Sequence, residues 1–412
     1  MEKYQPLRIL SYASDFDIEK ELLLRKNKYS TIFTGYWISP MRRGEAVSDV
    51  KYELFCNPVE ELRVRNERIL DHSIEIRDLS DRLPGIAKDA ILKKVLVNEI
   101  QSTNEIEGVK SSRKEIRTVM RMEEGKSSRL FKIVEMYLKI MESEFQEIHL
   151  PEDVRKVYDA LFAGSNTIEH EVDGALFRKD NVYVSKGMKK LHSGIYGEAN
   201  ITREIQNMID LMNRKDVPFL IKACITHFIL EYIHPFYDGN GRLGRYFLSS
   251  YLKKKLDIFS AICISYETNQ MRTKYNKLFE EVSAYKNYGE VTHFVIGMME
   301  IIEQGQRDIR DLLERSIQKL RYLDHKITEY TDLDPTAQNI LYYYLQIYSF
   351  NEAEEIEDKT ILSFYNTSGE KKLSNRRFRE IMTELEEKGY LKPVKQRPII
   401  HELTDRMKTD IE

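Results

Sequence analysis

Cysteine is scarce in this chain, and the three present, Cys56, Cys224 and Cys263, lie far apart with no Cys-x-x-Cys pair. That argues against a disulfide framework or a Cys-rich zinc site and points to a reducing compartment. An excess of one charge is also missing. With 64 Lys+Arg against 67 Asp+Glu, the formal charge is -3, which does not suit a protein that coats nucleic acid, although local basic patches stay open. Long apolar runs are absent as well. The longest, Phe219 to Ile233, is interrupted by Lys222, His227 and Glu231 and is shorter than a bilayer-crossing helix requires. The start, Met-Glu-Lys-Tyr-Gln-Pro, lacks the basic region and apolar stretch of a signal peptide. A soluble, cytoplasmic protein with no membrane partner is expected.

What is present can fill more than one core. A 42% hydrophobic share over 412 residues suits two or three domains. Tyr29 to Ser39 and Tyr52 to Cys56 are rich in β-branched and aromatic residues and read as two short strands joined by a loop. From about Val59 the pattern turns helical. Pro84-Gly85 breaks it, and an amphipathic run from Asp89 to about Glu107 ends at Gly108, a C-cap residue. Leu130 to Phe145 is another helix, and Pro151 opens the next. Phe177 to Lys186, with Val182, Tyr183 and Val184 among nearby glycines, reads as a short hairpin. Between Gly289 and Tyr330, Ile309, Leu313, Leu320, Leu323 and Ile327 recur at helical spacing. They suit either an amphipathic helix packed on its own domain or a coiled-coil-like seam. The expected class is mainly α, with a mixed and then helical N-terminal region over 1–125, a helical core over 126–305, a helical linker over 306–333 and a separate unit over 334–412.

The chemistry concentrates in His234-Pro-Phe-Tyr-Asp-Gly-Asn-Gly-Arg-Leu-Gly-Arg245, between two helices. Gly239, Asn240 and Gly241 let backbone amides approach a ligand at the start of a helix, where unpaired N–H groups and the helix dipole attract anions. Arg242 and Arg245 add two forked cations suited to phosphate oxygens. Asp238 places a carboxylate where Mg2+ would bridge it to phosphate. His234 is a titratable base able to take a proton from a hydroxyl. Each piece alone is commonplace in a turn or helix end. Together they equip a site for phosphoryl or nucleotidyl transfer.

This segment resembles the signature of the Fic proteins, H-x-F-x-[D/E]-G-N-G-R-x-x-R, at every fixed position, Phe236 included. The resemblance implies a helical Fic core with a β-hairpin flap and transfer of AMP from ATP to a protein hydroxyl. It implies that His234 deprotonates the target side chain and Asp238 holds Mg2+. Asn240 with the amides of Gly239 and Gly241 would meet the α-phosphate, and Arg242 and Arg245 the β- and γ-phosphates. Relatives that phosphorylate carry Lys at the second motif glycine, so Gly241 favours the AMP branch. A second pattern of the family, the inhibitory [S/T]-x-x-x-E-[G/N], is matched by Thr103-Asn-Glu-Ile-Glu107-Gly108. It implies that Glu107 pairs with Arg245 and occupies the γ-phosphate position. The hairpin at 177–186 has the location of the flap that docks a target peptide by strand addition, and a homodimer, common in relatives, is a further implied partner. Tyr275 falls in the stretch expected beside the adenine, either stacked on the base or packed in the core.

The C-terminal unit reads as helix, helix, helix, strand, turn, strand, the order of a winged helix. Its helices are expected at Pro335 to Tyr348, from near Asp358, and at Ser374 to Lys388; its strands at Tyr390 to Lys395 and Ile399 to Leu403. From Glu370 to Ile399 there are nine basic residues against five acidic, including Lys371, Lys372, Arg376, Arg377, Arg379, Lys392, Lys395 and Arg397. Duplex DNA bound through 370–399 is one expected partner, and a protein is the alternative, since Glu380, Glu384, Glu386 and Glu387 share the third helix. Two rival functions remain: a DNA-binding regulator whose core only senses nucleotide, and the reverse enzyme that removes AMP, in which Glu107 would activate a water.

Overall fold

Apolar residues at helical spacing dominate the chain, and helices follow them almost everywhere. The computed structural model describes residues 4–43, 45–122, 128–142, 147–162, 164, 168, 170–186, 189–350, 356–368 and 372–412. Two compact units divide it: Met1–Ile74 with Leu96–Arg307, and Glu75–Val95 with Asp308–Glu412.

The first unit opens with the expected strand pair. Ile32–Ile38 runs antiparallel to Tyr52–Cys56, with Ile32 opposite Cys56 and Ile38 opposite Tyr52. Thr34, Tyr36 and Ile38 turn inward and Phe33, Gly35 and Trp37 outward, the period-2 alternation of a half-buried strand. The segment between them carries a small ladder not anticipated from the sequence, Met41–Arg42 against Glu45–Ala46. Helix Glu60–Asp81 stops at the Pro84-Gly85 break, and helix Gly85–Ile106 starts there rather than at Asp89. Beyond its last turn Gly108 takes φ 76°, and the Val109 amide donates to the Asn104 carbonyl at 2.9 Å, a left-handed closure of the helix end. Helix Phe131–Met141 is shorter than the expected Leu130 to Phe145, whose last residues lie outside the described ones.

The centre of this unit is helix Phe219–Ile233, apolar on nearly every face because neighbours cover nearly every face. It packs against Glu198–Asn213 and Asn240–Lys253. Lys222, which interrupts the apolar run, stays buried by donating its Nζ to the Arg214 carbonyl.

The hairpin falls later than expected. Its strands are Tyr183–Lys186 and Lys189–Ser193, paired antiparallel from Tyr183–Ser193 to Lys186–Lys189. Phe177 and Arg178, expected inside it, are fully buried instead. Phe177 packs edge-on against Phe236, and Arg178 bonds into the loop after helix 219–233. Alternating side chains resemble a strand whether one face meets a partner strand or a packed core, which is why the sequence pattern ran early.

In the second unit, Asp334 caps helix Pro335–Phe350 by accepting from the Thr336 and Ala337 amides at 2.8 and 2.9 Å. Helices Asp358–Ser368 and Asn375–Glu387 follow, then strands Leu391–Gln396 and Ile399–Leu403, paired antiparallel. Ser374 accepts from the Arg377 amide at 3.2 Å, and Gly389 ends that helix at φ 73°. An unanticipated helix, Asp405–Ile411, adds Met407 and Ile411 to a core that includes Leu341, Leu345, Ile381 and Leu385. The periodic region is one helix, Thr292–Ile327, and its Leu323 and Ile327 belong to this core.

Candidate active site

Helix 219–233 ends because His234 leaves the right-handed region, at φ 53° and ψ 63°. For a non-glycine residue this costs about 1 kcal/mol, and it persists because both its backbone groups are held. The His234 amide donates to the Leu230 carbonyl at 3.0 Å, and its carbonyl accepts from Arg178 Nε at 2.8 Å. The imidazole Nδ1 lies 3.3 Å from the Glu231 carbonyl. A carbonyl can only accept, so Nδ1 carries the proton and Nε2 keeps the lone pair. Burial is the main cause that pushes the His234 pKa down to about 4, and His192 and Arg178 add to it. At neutral pH the ring is an uncharged base.

The loop that follows is built on Phe236, fully buried and stacked on Tyr158 with ring centroids 3.6 Å apart. Asn240 closes the loop. Its Oδ1 accepts from the Phe236 amide at 3.0 Å and its Nδ2 donates to the Phe236 carbonyl at 2.9 Å. Both bonds tie the side chain to the loop's own backbone. Gly239 takes φ 80°, and a Cβ there would meet Ile168 Cδ1 at 3.0 Å and the Phe162 ring at 3.1 Å. Only glycine meets both demands. Asp238 Oδ1 accepts from the Gly239 amide at 2.6 Å and stands 3.5 Å from Arg242 Nη2.

Helix Asn240–Lys253 starts here, and the positive end of its dipole faces the loop. Arg242 and Arg245 project from its first turns and are each 1% exposed. Arg242 lies over the Phe162 ring at 4.7 Å. Burial lowers its pKa, against the opposing pull of Asp238 and Glu107. Arg245 donates from Nε to Thr103 Oγ1 at 3.0 Å, and from Nη2 to the Thr103 carbonyl at 3.1 Å and to Glu107 Oε1 at 2.7 Å. Burial opposes the charge on this guanidinium, but Glu107, Tyr275 and Glu231 together outweigh it and raise the pKa. Burial likewise opposes the charge on Glu107, whose pKa Arg245 nonetheless holds below the ordinary value. The fit is close: a Cβ on Gly241 would run into the Glu107 carboxyl group, with Cδ at 2.9 Å, and meet Arg245 Nη1 at 3.0 Å.

The pairing of Glu107 with Arg245, across 138 positions of sequence, has support that motif reading missed. Glu99, Thr103 and Glu107 follow at intervals of four on helix 85–106 and its end, so they share a face. Glu99, fully buried, accepts from the amides of Ser265 and Tyr266 at 2.7 to 3.1 Å. Arg272 donates to the Glu105 and Ile106 carbonyls at the helix end. The four-residue spacing was the signal available for Glu99. Glu231 was also overlooked. Burial, with the charge of Glu107 added, pushes its pKa up to about 8, and its Oε1 blocks the space a Gly244 side chain would need.

Tyr275, the residue expected beside the adenine, is 5% exposed. Its hydroxyl bonds His227 Nε2 at 2.7 Å, and its ring meets Phe279 edge-on at 5.0 Å. It is packed in the core and presents no open ring face.

Among the described residues no group of three or more His, Cys, Asp or Glu side chains is placed to hold a metal ion. A single carboxylate, Asp238, suits Mg2+ only where phosphate oxygens and water supply its other ligands. The helices, likewise, include none long and apolar enough to cross a membrane among the described residues.

Residues 148–252 match the Fic/DOC family, a span that holds the whole His234–Arg245 segment. Over 96 residues the chain is 34% identical to a probable protein adenylyltransferase of Aquifex aeolicus, a match covering 23% of this chain and 27% of that protein. The chain thus spans about a quarter of this relative's length. Among solved structures it is similar to a Fic family protein from Desulfovibrio desulfuricans G20, at 16% identity and TM-score 0.47, covering 82% of this chain and 96% of the other. It is also similar to Fic-1 from C. elegans, at 17% identity and TM-score 0.43, covering 60% and 72%.

Proposed function

From the premise that this is a Fic family protein over residues 148–252, we propose that it transfers AMP from ATP to a hydroxyl of a protein side chain, and that Glu107 restrains it. The observation that carries this reading is the 2.7 Å contact of Glu107 with Arg245, one turn from a glycine-flanked helix start and near enough to His234 for the two side chains to interact electrostatically. Two buried guanidinium groups at the N-terminal end of a helix form a cradle for a polyphosphate. A carboxylate in that cradle occupies the place of a phosphate oxygen.

The reaction follows from the roles available. The target hydroxyl oxygen attacks the α-phosphorus while His234 Nε2 takes the hydroxyl proton. The bond from the α-phosphorus to the bridging oxygen breaks, and the electron pair leaves with pyrophosphate. Asn240 and the neighbouring main-chain amides offset charge on the α-phosphate, and the Arg242 and Arg245 guanidinium groups offset it on the leaving group. Asp238 would hold Mg2+, which supplies charge neutralisation on the phosphates when bound. The hairpin at 183–193 is proposed to receive the target peptide as an added strand.

The test is incubation with ATP labelled at the α-phosphate. Label on protein with the Glu107→Gly form, and none with Glu107→Gly/His234→Ala at equal nucleotide binding, is the expected result. Label that persists without His234 would remove the base from this scheme. If neither form transfers AMP and Glu107 speeds its release from a labelled protein, the reverse reaction is the activity.

A further inference from the structure

The cation that holds the His234 carbonyl reaches further than that one bond. Arg178 is fully buried, and its hydrogen bonds run to backbone carbonyls rather than to acids. Nη1 donates to the Asp180 carbonyl, Nη2 to those of Ile195 at 2.7 Å and Ile233 at 3.4 Å, and Nε to that of His234 at 2.8 Å. Asp180 lies just ahead of the first hairpin strand, Tyr183–Lys186, and Ile195 just past the second, Lys189–Ser193. A single planar fork therefore joins both feet of the hairpin to the carbonyl of the base.

The surroundings are shaped to this junction. The Arg178 amide donates to the Pro235 carbonyl at 3.2 Å, the Gly194 amide to Val182 at 3.1 Å and the Ile195 amide to Ile233 at 3.0 Å. Gly194 has no side chain because there is no room for one. A Cβ there would press on Arg178 Nη2 and meet His234 Cβ and Val182 Cγ1, each at 3.0 Å. Tyr237 adds a second tie, accepting from the Asp180 amide at 3.1 Å and donating to Asp173 at 3.0 Å.

We propose that Arg178 is a positioning residue that locks the hairpin to His234, so that a peptide carried on the hairpin presents its hydroxyl at a fixed distance from the imidazole. A lysine would keep the charge but could not span the feet and the base together, because it lacks the planar array of donors. The purpose assigned to the lock rests on the AMP-transfer reading; the lock itself rests on the bonds to carbonyls. Burial pushes the Arg178 pKa down to about 10, with Tyr237 and Asp173 acting in the opposite direction, so the group stays a cation at neutral pH. The groups that face His234 are His192 from the hairpin, Arg178, Glu107 and the Glu231 carbonyl.

The test uses the full chain carrying Glu107→Gly, alone and with Arg178→Gln, Arg178→Lys or Gly194→Ala. Hydrogen exchange of 183–193 is read together with an NMR titration of the His234 ring and with binding of ATP-Mg2+. Arg178→Gln is expected to speed exchange in the hairpin by about tenfold or more and to move the His234 midpoint up from about 4, though burial still holds it below the ordinary value. Nucleotide affinity should stay within about twofold, since the phosphate cradle is untouched. Arg178→Lys should loosen the hairpin equally while the midpoint stays low, which a loss of folding alone would not produce. If Arg178→Gln does not fold, Arg178→Lys and Gly194→Ala decide through hairpin exchange. Parental exchange rates in the variants that fold overturn the lock. Should the Glu107→Gly form neither bind ATP-Mg2+ nor transfer AMP, the functional reading fails, yet exchange and titration still decide on the lock.

Discussion

Replacing Glu107 with glycine perturbs one carboxylate and exposes a balance that can be worked through. The lost contact is a charge-assisted hydrogen bond of 2.7 Å to a guanidinium that is 1% exposed, from a carboxylate side chain that is 23% exposed. Such a bond contributes about 1.5–3 kcal/mol. A nucleotide whose terminal phosphate needs Arg245 must displace that bond first, so its removal should tighten ATP-Mg2+ binding by roughly 10- to 150-fold. The same substitution leaves Arg245 buried without its nearest carboxylate, though still bonded to Thr103. Without nucleotide the variant should therefore be less stable, by about 2 kcal/mol, below the ~3–5 kcal/mol of a fully buried broken pair because Glu107 is partly solvated. Trp37 is the single tryptophan of the chain and lies in the first unit, so its fluorescence follows unfolding of that unit. Calorimetry gives the affinities. The expected pattern is opposite in sign for the two measurements: lower thermal stability alone, and a larger gain on adding ATP-Mg2+. Parental affinity for ATP-Mg2+ in the variant would refute the displacement argument, whatever happened to stability.

Three further outcomes follow from other contacts. Tyr275→Phe removes the hydroxyl bonded to His227 at 2.7 Å and should destabilise the first unit by about 1 kcal/mol with ATP affinity unchanged; a marked loss of affinity in the Glu107→Gly background would restore a base-stacking role. In the second unit His401 bridges Asp358 and Glu386, each at 2.7 Å. Burial opposes its charge, but the two carboxylates prevail and hold its pKa above the ordinary 6.5. A raised folded-state value means stability present in full below pH 6.5 and lost as pH rises through that value, so hydrogen exchange in 358–368 and 399–403 should quicken from pH 6 to 9, and His401→Gln should flatten the profile. For duplex DNA, Arg376 pairs with Glu380, Arg377 with Asp334 and Glu380, and Lys392 with Glu402 and Asp405, while Lys371 lies outside the described residues. Cations so interleaved with acids give a weak field, and no salt-sensitive binding is expected by anisotropy at low ionic strength; a steep fall in affinity between two salt concentrations would establish phosphate contact.

What could be read from the sequence, and what could not, depends on the kind of partner each side chain has. His234, Gly239 and Arg242 sit within a single loop and helix start, so short-range spacing already placed them together. Arg245 and Glu107 are distant, yet both are charged side chains in recurring patterns, and the pair was legible as a motif before any fold was known. Asn240 and Tyr275 are harder to read, because an amide or a phenol serves a ligand and the protein interior equally well, and the choice between them is made by packing. Arg178 lies beyond any pattern search, since every acceptor it bonds is a carbonyl, a group that all residues share. The same reason explains the hairpin shift: Phe177 and Arg178 alternate as strand residues do, but the surface that buries them comes from Phe236 and the His234 carbonyl, more than fifty positions later. Side chains that bind side chains leave marks in sequence. Those that bind main chain do so only through the fold, and in this protein such bonds hold the base, the loop and the hairpin in register.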